Sequence, residues 1–247
     1  MATLTRKQRE LAERERLILD TAAVMVAERG YLGLTMDRIA DSTEYSKGTI
    51  YQHFPNKEEI LAALAIETSE RRVGLFKKAV TFNGRARERM AAIGVADDLF
   101  VKLYPLHHRC ETVIGAHSIR DKTSPERIAK LEECEFNCMN VVQGLVRDAI
   151  AAGDLEIDEG DEDMPQRIVL GLWSMASGFQ QLTSIAEHPI ETKLGFDEPV
   201  QALFSCYDRF LDGFGWRPLS TEWDFSKSLE RIHQEVFQDE FRRIESV

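Results

Sequence analysis

The sequence lacks any long apolar run. None of the hydrophobic stretches in its 247 residues approaches the ~18 residues that a membrane helix requires, so we expect no membrane span. The first twenty residues are charged from Arg6 onward and lack the apolar segment of a secretory signal, which makes a cytoplasmic location the default expectation. The 43% hydrophobic and 30% charged content is typical of a globular chain and excludes a disordered one.

Cysteine is scarce, and the four cysteines form no CxxC pair. We expect free thiols in a reducing compartment. Cys134 and Cys138 are four residues apart on a predicted helix, so a redox or metal role is the alternative to the small buried side chains that we favour. A second group of candidate ligands fits no metal-binding motif: His107, His108, Cys110, Glu111 and His117. We therefore predict no metal site.

Motifs that carry catalysis are also missing. The chain has no nucleophile elbow, phosphate-binding Walker loop, dinucleotide fingerprint or metalloprotease motif, so we expect neither an enzyme nor a bound cofactor. The acidic segment GDLEIDEGDEDMP lacks the spacing and the closing Glu of a calcium-binding loop, which favours a solvated loop.

Negative charge is abundant but unevenly placed. The formal net charge is −11 at pH 7, yet residues 1–72 hold 11 basic and 12 acidic residues and so carry only −1. The remaining residues carry −10. The N-terminal part is thus nearly neutral, which leaves it able to contact an anionic partner.

The hydrophobic pattern predicts an all-α fold, with no strand-like alternation. Capping residues and apolar stripes predict helices over about 6–29, 36–42, 46–54 and 57–80. Five more helices are predicted between Gly84 and Phe214, and one final amphipathic helix over 225–246 that packs on the body. Thr5, Thr35, Ser46 and Asn56 are the predicted N-caps, and Glu59 completes a capping-box pattern with Asn56.

Two short predicted helices, 36–42 and 46–53, are joined by three residues. This is the layout of a helix-turn-helix, in which the second helix enters the DNA major groove. Ile50 and Phe54 are four residues apart and should face a core with Ile39 and Ala40. Gly48 has no side chain to hold the helix away from the groove. The outer face then carries Lys47, Thr49 and Gln52, whose side chains can reach base edges.

The run TMDRIADSTEYSKGTIYQHFPNKEEIL resembles the DNA-binding domain of TetR-type transcriptional regulators, over about residues 12–66. The resemblance implies a dimer that binds double-stranded DNA and a helical C-terminal region that binds a small molecule. Phosphate contacts suit some of the same side chains and the N-termini of the helices. Together the predicted DNA-binding residues are Thr35, Ser46, Lys47, Gly48, Thr49, Tyr51, Gln52, His53 and Lys57.

The turn departs from the family pattern. Glu44-Tyr45 stands where the family usually has Gly-Val, and glycine is favoured there because the turn can need a positive φ. A residue with a Cβ in that conformation costs about 1 kcal/mol.

The basic residues from Arg6 to Arg16 have two interpretations: a solvated helix face paired with Glu10 and Glu13, or an extension that contacts DNA.

The sequence after residue 84 is less informative about function than the helix-turn-helix segment. The helix from about Met164 to Glu187 is apolar nearly all round, and the helix from about Glu198 to Phe214 has one strong stripe, so we expect the two to form a dimer interface. Pocket walls are mostly apolar. The candidate ligand-lining residues are Phe100, Tyr104, Cys138, Gln143, Trp173 and Phe179.

These observations divide the chain into a helix-turn-helix domain (1–56), a ligand-binding and dimerisation domain (57–215) and a C-terminal extra helix (216–247). We expect a homodimeric repressor that binds a palindromic operator and is released by a small molecule of unknown identity. A DNA-binding regulator controlled by a protein partner through residues 225–246 is the alternative.

Overall fold

The computed structural model describes residues 5–115, 119–184, 194–195 and 197–246. Within those ranges the chain forms eleven α-helices, one short 3-10 helix at Arg120–Lys122 and no strand, which confirms the all-α prediction. The helices are α1 (Arg6–Gly33), α2 (Met36–Thr43), α3 (Lys47–His53), α4 (Lys57–Ala79), α5 (Ala86–Leu103), α6 (Pro105–Gly115), α7 (Pro125–Ala151), α8 (Met164–Ser184), α9 (Pro199–Gly213), α10 (Phe225–Glu235) and α11 (Gln238–Glu245). None of the helices in the described ranges is long and apolar enough to cross a bilayer.

Helix α1 begins and is interrupted where the sequence indicates. The Thr5 side chain accepts a hydrogen bond from the Gln8 amide while the Gln8 side chain returns to the Thr5 backbone, a complete capping box. Gly30 has φ +66°, a conformation that glycine adopts without a Cβ penalty, and it breaks the regular helix before residues 31–33. The predicted end near residue 29 is therefore correct.

The described residues fall into two compact units, which we treat separately. The first is drawn from Met1–Glu70 and Tyr104–Glu135, the second from Arg71–Leu103 and Phe136–Val247. Helices α4 and α7 contribute to both. The three-part division at residues 56 and 215 stays a prediction, because packing groups residues that are distant in sequence.

In the first unit, α1, α2, α3, α6 and the start of α4 share one apolar core. Ile18, Ile39 and Ile50 are fully buried in it. The Cys110 thiol of α6 donates to the Ala23 carbonyl of α1 at 3.4 Å, and burial raises the pKa of this thiol to about 11. Cys110 therefore acts as a buried apolar side chain, which agrees with the interpretation from sequence.

In the second unit, the C-terminal segment packs on α5 as predicted, but it is two helices and not one. The chain leaves helical geometry at Val236-Phe237 and resumes at Gln238. Phe237 is fully buried and Val236 nearly so.

Arg87 of α5 anchors this segment. Its guanidinium is 1% exposed and donates to the carbonyls of Trp216 and Pro218, the latter at 2.8 Å. It also pairs with the Asp212 carboxylate at 2.7 Å and donates to the Asp208 carbonyl at 3.0 Å. The carboxylate and the carbonyls stabilise the buried guanidinium charge through its two terminal nitrogens.

Helices α8 and α9 approach closely at a glycine. A Cβ added at Gly171 of α8 would overlap the Phe210 ring of α9, whereas Gly178, two turns later, has no atom within 4 Å of such a Cβ. Gly171 therefore lets the two helices approach closely.

Candidate nucleic-acid interface

The helix-turn-helix lies where the sequence predicted it, at α2, Glu44–Ser46 and α3. Thr35 caps α2 by accepting from the Arg38 amide at 3.2 Å, and Ser46 caps α3 by accepting from the Thr49 amide at 3.1 Å. The Thr43 hydroxyl donates to the Ile39 carbonyl at 2.8 Å and closes the end of α2.

Glu44 forms the turn with φ +58° and ψ +21°. The positive φ that a glycine would accommodate is thus present in this chain, occupied by a residue with a Cβ. The turn thus takes a left-handed conformation at this position, and the penalty falls on Glu44.

The inner face of the motif is buried as predicted. Ile39, Ile50 and Phe54 have no exposed surface, and Ala40 is 4% exposed. These four side chains fix α3 against α2 and the first unit's core, so the orientation of α3 is set by packing.

The outer face carries residues that were predicted to contact DNA, and their contacts stay a prediction. Lys47, Gly48, Tyr51 and Gln52 are exposed, while Thr49 and His53 are half-buried on the same short helix. A Cβ at Gly48 would touch only the Ser46 hydroxyl, at an ordinary 3.7 Å, so the surface there is open. Amide, ammonium and hydroxyl groups are those that read base edges and phosphates.

Two basic residues of the predicted DNA-binding set, Lys47 and Lys57, already have partners within the protein. The Lys47 ammonium lies 2.8 Å from the Asp37 carboxylate of α2. The Lys57 ammonium donates to the Tyr31 carbonyl at 3.1 Å and lies 3.8 Å from the centre of the Tyr31 ring. Neither partner could be predicted from the sequence, because the first depends on how α2 packs on α3 and the second on how α1 packs on α4.

Glu59 plays a different part from the one predicted. Asn56 does cap α4, accepting from the Glu59 amide at 2.9 Å. The Glu59 carboxylate, however, accepts from the Ser124 amide at 2.5 Å and pairs with Arg127 at 2.7 Å, so the reciprocal half of the predicted capping box is wrong. This buried carboxylate ties the start of α4 to the start of α7, beside the end of α3.

The basic end of α1 favours the solvated-face interpretation. Arg6 pairs with Glu10, and Arg16 pairs with Glu67 of α4 at 2.8 Å. The Tyr31 hydroxyl donates to Glu58, nearer the start of α4. Helices α1 and α4 are therefore antiparallel, and the first turns of α1 extend away from the end of α4 that adjoins α3.

The candidate ligand-lining residues do not all belong to one unit. Phe100, Cys138, Gln143, Trp173 and Phe179 are in the second unit and Tyr104 is in the first. Phe100 is fully buried, and Trp173 is 56% exposed on the surface of α8. Their assignment to a pocket stays a prediction.

Residues 18–64 match the family model described as bacterial regulatory proteins, tetR family. A fatty acid metabolism regulator protein of Bacillus subtilis is 27% identical over 155 residues, which cover 62% of this chain and 76% of the relative. The HTH-type transcriptional repressor AcnR of Corynebacterium diphtheriae is 40% identical over 62 residues, 25% of this chain and 33% of the relative.

Solved structures share the fold. A tetR-family regulatory protein from Rhodococcus RHA1 superposes with a TM-score of 0.63 at 18% identity, covering 82% of this chain and 97% of that one. The fatty acid degradation regulator FadR of Bacillus halodurans gives 0.62 at 17% identity, covering 83% and 97%. The site and these matches define a helix-turn-helix transcriptional regulator that binds DNA. Residues 18–64 are thus a DNA-binding domain of the tetR family.

Proposed function

We propose that the protein is a homodimeric repressor that binds a palindromic operator with one α3 from each copy and is released by a small molecule. The observation that carries the DNA-binding half is the geometry of α3: capped, packed by Ile50 and Phe54, and presenting Lys47, Thr49 and Gln52 outward. Two such helices about 34–36 Å apart would match successive major grooves. The proposal places the protein in the cytoplasm with the DNA.

The surface of α8 supports a dimer. Leu170 and Trp173, three residues apart on one face of α8, are each more than half exposed in the single chain. Large apolar side chains grouped on one helix mark an interaction surface. A second copy packed on α8 would bury them, and Trp173 would then be an interface residue and not a pocket-lining one.

The second unit supports a ligand site. Residues 137–144 of α7 are all half-buried, around more than two full turns, and so are residues 175–180 of α8. A helix that packs tightly alternates buried and exposed positions, so uniform partial exposure indicates room between the helices. The names of two similar proteins refer to fatty acids, which makes fatty acids the first compounds to test.

The alternative, control by a protein partner through residues 225–246, has less support. The apolar side chains of α10 and the following turn, Phe225, Ile232 and Phe237, are buried against the second unit. What this segment leaves outside is mainly charged, which is typical of a solvated surface.

The test selects duplexes from a random library with the purified protein and measures affinity for the selected sequence and for bulk DNA. We expect a palindrome, bound by a dimer, and a loss of affinity on adding a ligand from a fatty acid panel. No preference over bulk DNA would refute the operator. A selected palindrome whose binding no small molecule alters, but a protein partner does, would favour the alternative.

A further inference from the structure

Asp37 and Lys47 form an ion pair on the surface that is to meet DNA. The Lys47 Nζ and the Asp37 carboxylate oxygen are 2.8 Å apart, and both side chains are 61% exposed. Lys47 is the first residue of α3, and Asp37 lies in the first turn of α2. The pair therefore bridges the two helices of the motif on its outer side.

The surroundings of the pair are acidic on the α2 side. Asp41 follows Asp37 by one turn, and the hydrogen bond and charge of Asp37, with the charge of Asp41, raise the pKa of the Lys47 ammonium. Asp37 also lies between Thr35 and Arg38, in a helix N-terminal turn of the kind that binds phosphate. A carboxylate at that place competes with the phosphate for the same donors.

We propose that Asp37 is a specificity-determining residue: it holds Lys47 so that DNA gains this cation only where the groove supplies an acceptor to replace the carboxylate. The inference rests on the proposed function, because it assumes that α3 docks on DNA. Asp37 acts through Lys47 and is a positioning residue.

When Lys47 exchanges Asp37 for a group of the DNA, the change in free energy favours the operator over bulk DNA. When Lys47 contacts a phosphate of arbitrary DNA, it exchanges one anion for another and leaves Asp37 beside the phosphates, so this lysine adds little to counterion release. At the operator, a guanine edge in the correct place gives Lys47 a directed hydrogen bond as well. Asp37 thus weakens bulk binding more than operator binding.

The experiment compares Asp37→Asn with wild type on the selected operator and on bulk duplex across a salt titration. We expect affinity for bulk DNA to rise about three- to tenfold at low salt, and operator affinity to rise less, so that the specificity ratio falls. The slope of log K against log salt on bulk DNA should steepen by about 0.9, the contribution of one freed cation.

Asp20→Asn is the matched control. Asp20 is an exposed carboxylate of the same unit that pairs with Arg16, so the variant makes the same change in net charge away from α3. A double-mutant cycle with Lys47→Met then tests the route: the effect of Asp37→Asn should be clearly smaller when Lys47 is absent, because only the direct repulsion between Asp37 and the phosphates then remains.

Failure of this inference differs from failure of the proposed function. If wild type selects no operator, the proposed function is wrong. If wild type selects one but Asp37→Asn behaves like Asp20→Asn, or changes both affinities equally, or keeps its full effect in the Lys47→Met background, the role assigned to Asp37 is wrong.

Discussion

Glu44 stores strain in the turn of the DNA-binding motif. Its φ of +58° lies in the left-handed region, which costs a residue with a Cβ about 1–2 kcal/mol. We expect the unfolding free energy of Glu44→Gly, measured in urea, to be about 1 kcal/mol higher than that of Glu44→Ala. Glycine removes the strain, whereas alanine retains it.

Alanine is the control because both variants lose the same carboxylate. Any effect of the Glu44 charge on its neighbours is therefore common to both and cancels. Equal stability of the two variants would mean that the turn relaxes to a negative φ when the side chain is shortened.

Asp212 gives a second prediction for a single residue, which concerns how the stability of the fold depends on pH. Burial alone would raise the pKa of Asp212, but hydrogen bonds from Ser220 and contacts with Arg87 outweigh it and lower the pKa below its ordinary value of 3.8. A carboxyl whose pKa is lower in the folded state stabilises the protein above its unfolded-state pKa, and the contribution is lost as pH falls through the folded pKa.

We therefore expect Asp212→Asn to be less stable than wild type at pH 7, with a gap in unfolding free energy that narrows below about pH 4. Urea unfolding of both proteins between pH 7 and pH 3 measures the gap. Asp224→Asn shows how the gap changes for an exposed helix cap outside the Arg87 contacts, because the pKa of Asp224 is also lowered, by a hydrogen bond from Ser226 and by Lys227. A gap that stays constant with pH would contradict the coupling of Asp212 to Arg87 and Ser220.

At the scale of elements, the packing of α8 on α9 separates two glycines of the same helix. Gly171→Ala should destabilise by about 1–3 kcal/mol, because the new methyl group forces the Phe210 ring to move. Gly178→Ala should stabilise by about 0.5–1 kcal/mol, since it gains helix propensity in open space. Thermal unfolding of both variants measures the difference, and an unchanged or higher stability of Gly171→Ala would contradict the close approach.

The elements that local signals specify could be predicted from the sequence. Thr5, Thr35 and Ser46 cap helices because their hydroxyls reach amides two or three residues on, and glycines or apolar spacing mark the ends and the inner faces. The fold class, the motif and the outward residues of α3 followed from these short-range rules.

Partners distant in sequence could not be predicted. Glu59 meets Ser124 and Arg127 some 65 residues away, and Lys57 meets the Tyr31 carbonyl, so a local pattern suggested a capping box for the first and a free cation for the second. The break at Val236-Phe237 was missed because each half alone fits a helical period. Tertiary packing decides all three.

For the whole molecule, the segregation of charge controls how DNA binding responds to salt. Residues 1–72 carry −1 of the net −11, Lys47 is paired with Asp37, and Lys57 is engaged with Tyr31. Few cations of α3 and the start of α4 are thus free to replace counterions on the phosphates, and we expect the acidic remainder to repel DNA beyond the docked face.

We therefore expect a shallow dependence of operator affinity on salt, with log K against log salt sloping less steeply than about −8, because each phosphate neutralised contributes about −0.9. A titration of operator binding between 50 and 200 mM salt (about the range over which strongly basic binders lose most affinity) measures it. Asp20→Asn, which alters net charge but no cation of α3, should leave the slope unchanged. A slope steeper than −8 in wild type would require phosphate contacts from cations outside α3 and the start of α4, and the exposed basic turns of α1 would then have to reach the DNA.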